Sequence, residues 1–115
     1  MQKWSALLGT ELASWPAVTS RRMFGMTVFY RTGVIFAALP RTRSFETPRS
    51  VAFKLHRKGP RTLRMLASDR RIAHPVAEGG KWISFELSDE NDLKHALKWF
   101  DLAYRTCLSQ NNSQN

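Results

Sequence analysis

The sequence predicts an α+β domain: a mostly antiparallel sheet of about four strands, with N-terminal, middle and C-terminal helices packed on it. Three observations carry this. Apolar residues recur every three to four positions near both ends of the chain, the period of a helix with one buried stripe. The middle holds short runs rich in aromatic, β-branched or alternating apolar residues, as strands do. A short glycine-containing link joins the first two of those runs, which makes them antiparallel neighbours. The 115 residues suit one domain, placed at 1–108, with a polar tail at 109–115.

The first helix is expected over 2–14, with Trp4, Leu7, Leu8, Leu12 and Trp15 on one face. Pro16 disfavours helical geometry at Trp15 and ends it. Residues 21–30 and 34–39 read as strands of a hairpin turning at Arg31-Thr32-Gly33. Gly25, inside the first strand, reads as a bulge or bend, or as room for a ligand or partner. Residues 40–50 form a basic loop, long for a compact domain. In 51–55, Val51, Phe53 and Leu55 alternate with Ala52 and Lys54, a half-buried strand. Gly59-Pro60 opens a short helix to Ser68, since proline suits a first helical turn.

Residues 70–80 are irregular, and 81–87 form the fourth strand, with Ile83, Phe85 and Leu87 inward. Ser88 is placed to cap the last helix, with Asp89, Glu90 and Asp92 where the helix dipole favours anions. Its core stripe is Leu93, Ala96, Leu97, Phe100, Tyr104, Cys107 and Leu108. Trp99 and Leu102 lie off that stripe by roughly 100° or more. They are therefore either a partner surface, such as a homodimer seam, or covered by a second layer of the same domain.

Charge is concentrated. The chain carries eighteen Lys or Arg and nine Asp or Glu, a formal charge of +9. Between Arg21 and Arg71, thirteen basic residues stand against two acids, whereas residues 72–115 carry a net −2. Such a basic segment suits anionic partners. The polyanion-binding candidates are Arg41, Arg43, Arg49, Arg57, Lys58, Arg61 and Arg64, which predicts association with nucleic acid or another polyanion; the alternatives are a solvated basic surface or a protein-interaction module. No apolar run reaches the length of a membrane span, the N-terminus does not read as a signal peptide, and the single cysteine excludes an internal disulfide. A cytoplasmic protein without membrane attachment is expected.

Arg22-Met23-Phe24-Gly25-Met26, the string from Phe29 to Ala37, the strand at 51–55, the Trp82 strand and the closing helix resemble the N-terminal domain of the TfoX/Sxy family of competence regulators. The resemblance implies a YjbR-like α+β fold and a regulatory or binding role, with no catalytic residues. A single domain is expected, without the second, helical domain of those regulators, and the loops are more basic than theirs. A weaker resemblance, to small uncharacterised luciferase-like domains, rests on Trp15-Pro16-x-Val18-Thr19, His74-Pro75, Gly80-x-Trp82 and the acidic start of the last helix.

The residues offer little for catalysis. His56, His74 and His95 are about twenty residues apart, without metal-ligand spacing, so neither a metal nor another cofactor is expected. Cys107 falls on an apolar stripe, the position of an inert thiol. No phosphate-binding glycine string is present. A binding domain is expected rather than an enzyme.

Overall fold

The computed structural model describes residues 2–42, 49–72 and 82–112. In chain order it contains α1 (Gln2–Ala13), β1 (Val18–Met23), β2 (Met26–Arg31), β3 (Val34–Pro40), β4 (Ser50–Lys54), α2 (Pro60–Ser68), β5 (Trp82–Glu86) and α3 (Asn91–Asn112). The strands form one five-stranded sheet in the order β1-β2-β3-β4-β5, every neighbour antiparallel. The α+β class stands, with five strands in place of about four.

The additional strand comes from 21–30, which is a hairpin in its own right. Phe24 and Gly25 have φ of 53° and 75°, and Met23 pairs with Met26 across them. Two successive positive φ values are those of a type I′ turn, whose backbone twist matches the strands it joins. Gly25 therefore marks a reversal, where the sequence reading placed a bulge. The sheet's irregularity lies instead at Phe29/Tyr30, between β2 and β3. The second turn falls where expected, with Thr32 at 50° and Gly33 at 79°.

The main core lies between one sheet face and the helices. Leu8 and Leu12 of α1, Phe100, Ala103 and Cys107 of α3, and Phe29, Phe36, Phe53 and Phe85 of the sheet are all buried there. Phe53 stacks on Trp99 at 5.4 Å and meets Phe100 edge-on at 6.4 Å. Fully burying one such aromatic contributes about 2–3 kcal/mol. Leu7 does not share the α1 stripe and is exposed. The opposite sheet face holds a smaller cluster of Val28, Ala38 and Ala52, edged by Met23, Met26, Tyr30, Ile35 and Trp82.

Two expectations about α3 change. Its start is held by Asp92, whose carboxylate accepts the backbone N–H groups of Ser88 at 2.7 Å and Asp89 at 3.2 Å, rather than by the Ser88 hydroxyl. Its end runs to Asn112, so four residues of the expected tail are helical; 113–115 lie outside the described residues.

Candidate nucleic-acid interface

The register decides which basic residues can act together. Ala37 pairs with Phe53 and Ala38 with Ala52, so the end of β3 adjoins the start of β4. Arg41 and Arg49 leave the sheet at that end, and Arg57 and Lys58 follow β4 at the opposite one. The seven residues of β3 separate these ends by roughly 20 Å. Arg61 and Arg64 are exposed on α2, and Arg43 lies outside the described residues. The described candidates therefore leave the sheet at two opposite ends, with Arg61 and Arg64 on α2, rather than clustering at one point.

Several cations are engaged within the fold. The Arg31 guanidinium donates to the Tyr104 carbonyl at 3.0 Å and lies 3.7 Å above the Tyr104 ring. The Tyr104 hydroxyl in turn donates to the Pro16 carbonyl at 2.7 Å, which ties the turn before β1 to α3. Arg71 pairs with both Asp69 and Asp92. Burial works to raise the Asp92 pKa, but the Arg71 hydrogen bond and the Ser88 and Asp89 amides outweigh it and hold the carboxyl below its ordinary value. Lys54 lies 5.7 Å from the Trp82 ring centre.

The hairpin end is different. A groove of about 730 Å³ runs between α1 and the β1–β3 part of the sheet. Arg22 and Arg41 line it, with the hydroxyl residues Ser5, Thr10, Ser20, Thr27 and Thr42. No carboxylate lines it among the described residues. Arg22 stands opposite Thr27 on the helix-facing side of β1, and Arg21 opposite Val28 on the other side. The Ser5 oxygen is buried with no hydrogen-bond partner among the described residues. The backbone amides of Arg41 and Thr42 donate to the Gly25 carbonyl at 3.0 and 2.9 Å, so the hairpin tip is fixed to the groove mouth. At that tip Phe24 is 84% exposed. Guanidinium and hydroxyl donors without competing carboxylates suit phosphate oxygens.

A second groove, of about 590 Å³, lies between α2 and α3. Its cations include Arg70, Lys98 and Arg105, but Asp69 and Asp101 share the walls, and Arg105 is paired with Asp101 at 3.1 Å. Trp99 forms part of this site without being an exposed contact residue. It is 7% exposed, stacked on Phe53, and its indole N–H donates to Asp69 at 2.9 Å. The domain itself covers it. Leu102 is partly buried and lines the groove beside Met65.

Cys107 is fully buried, and burial pushes its thiol up to about 11, against the opposing pull of Arg31 and Lys54. A thiol so protonated is a poor nucleophile. The His56 ring contacts the Ile35 carbonyl at 2.7 Å, and its backbone amide donates to Thr106 at 3.2 Å, both structural roles. Among the described residues no three metal-ligating side chains converge, and no helix is long and apolar enough to cross a membrane.

No protein-family model, curated protein or solved structure matches the chain. Its site is therefore read from its own residues. Arg22 and Phe24 are the ones the sequence reading did not single out. Their signal was present: a second Xaa-Gly turn, hidden because phenylalanine is an unusual partner for glycine in a type I′ turn.

Proposed function

We propose that this chain is a small binding module that associates with nucleic acid, a reading that rests on its basic residues and not on its resemblance to the TfoX N-terminal domain. The contact is the hairpin end of the sheet, with Arg22 and Arg41 in the groove. The observation that carries this reading is the groove lining: two guanidinium groups and five hydroxyls, with no carboxylate among the described residues. No hydrogen bond or ion pair occupies the side chains of Arg22 or Arg41 among the described residues, so phosphate can reach them without breaking the fold.

Counterion release makes such binding salt-dependent, each phosphate contact to a single strand adding about 0.7 to the slope of log K against log salt. Titrating the protein with labelled single-stranded and duplex oligonucleotides, at low salt and again near physiological salt, tests the reading. Binding that weakens steeply with salt is expected. No binding to either form at low salt contradicts it.

A further inference from the structure

Phe24 has no structural reason to be phenylalanine. It buries almost nothing, being 84% exposed, and its φ of 53° is a backbone conformation that a bulky L-residue rarely adopts. The equivalent position in the next hairpin holds Thr32 at nearly the same φ, 50°, so the backbone strain is common to both turns and the exposed aromatic ring is what sets Phe24 apart. Asparagine or aspartate at such a turn satisfies the backbone better. A side chain at odds with its local backbone is a reason to look for a function there.

We infer that Phe24 is a base-stacking residue, and that the nucleic acid taken by the hairpin end is single-stranded. This rests on the function proposed above and adds the class of ligand. Arg22 lies two residues before Phe24 and lines the groove, and the Arg41 and Thr42 amides hold the Gly25 carbonyl, so the turn that carries the ring is tied to two residues of a phosphate-suited groove, although the ring itself does not line it. Backbone contacts in the groove with a base laid on an exposed ring is the usual division of labour for sequence-tolerant single-strand binding. In a duplex the base faces are already stacked, and a ring meets one only by unstacking a base step, an energetic cost that a single strand does not require. A membrane surface fits less well, because one aromatic supplies little apolar area for insertion and hydroxyl groups line the wall behind it.

The test uses the full chain and two variants, Phe24→Asn and Phe24→Tyr, titrated with an oligothymidylate of about 20 nucleotides, matched to the length scale of such sites, and with a duplex of equal length. Vesicles of phosphatidylcholine and phosphatidylserine form a third arm. Phe24→Asn is expected to bind the single strand about ten-fold more weakly than wild type with an unchanged salt slope, while Phe24→Tyr stays close to wild type. Duplex binding is expected to be the same in all three. If wild type binds the single strand and Phe24→Asn binds it equally well, the inference is overturned and the nucleic-acid reading stands. Vesicle binding that needs Phe24, beside oligonucleotide binding that does not, overturns it in favour of a membrane. If wild type binds no oligonucleotide at all, the underlying reading fails and the inference falls with it.

Discussion

The α2–α3 corner and the β1–β2 hairpin corner use the same residue type in opposite ways. At the first, Arg71 is held between Asp69 and Asp92, Asp69 also takes the Trp99 indole N–H, and Asp92 also holds the first turn of α3. Those three charges are mutually paired, and the network joins the end of α2, the start of α3 and, through Trp99, the Phe53 core. At the second, Arg22 and Arg41 face a groove without a carboxylate among the described residues, next to the turn that carries the exposed Phe24. The difference separates arginine that builds the fold from arginine available to a ligand. Total charge, the first impression from the sequence, does not make that separation.

Breaking the paired corner should have the largest effect. Asp92→Ala removes two backbone amide bonds and one of the two carboxylate partners of Arg71, and is expected to cost about 3 kcal/mol in urea or thermal unfolding, with oligonucleotide affinity unchanged in the folded protein. A loss under about 1 kcal/mol, the scale of an ordinary exposed pair, removes Asp92 from this role. The same carboxyl predicts a pH dependence. Its pKa is lower folded than the ordinary 3.8, so its contribution is present above about pH 4 and is lost as pH falls through the folded value. Asp92→Asn should flatten that acid limb in unfolding curves recorded at a series of pH values.

Trp99→Phe sharpens the comparison with a smaller change. It keeps a ring against Phe53 but deletes the hydrogen bond to Asp69, at an expected cost of about 1 kcal/mol read by the unfolding midpoint. At the hairpin corner the sign should reverse. Phe24→Asn is expected to raise stability by about 0.5 kcal/mol, because asparagine tolerates positive φ, while it weakens single-strand binding. Arg22→Ala, at an exposed residue without a partner among the described residues, should leave stability within about 0.5 kcal/mol of wild type.

Much of the fold was legible because it rests on local periodicity. The α3 stripe through Ala96, Phe100, Tyr104 and Cys107 is buried as its spacing predicts, and the Thr32-Gly33 turn is where its glycine placed it. The Phe24-Gly25 turn was not legible, since a phenylalanine at positive φ runs against local propensity and the flanking residues read as one continuous strand. The site was less legible than the fold. Arg41 was named, but Arg22 reaches the same groove only because β1 pairs with β2, and no local pattern contains that register. Trp99 was ambiguous for a related reason. Its angle on α3 points off the main stripe, and only the position of Asp69 after α2 shows that the domain covers it.

The claim that the hairpin corner, rather than overall basicity, holds the ligand is tested most directly by two double variants of equal charge. Arg22→Ala/Arg41→Ala and Arg61→Ala/Arg64→Ala each remove two positive charges, one pair from the groove and the other from α2. Titrated with the same single-stranded oligonucleotide across a salt series, the groove pair is expected to lose at least about ten-fold in affinity, with the salt slope reduced by about 0.7 for each lost phosphate contact. The α2 pair should stay close to wild type in both. Equal losses from the two variants contradict the account and return the chain to a generally basic surface.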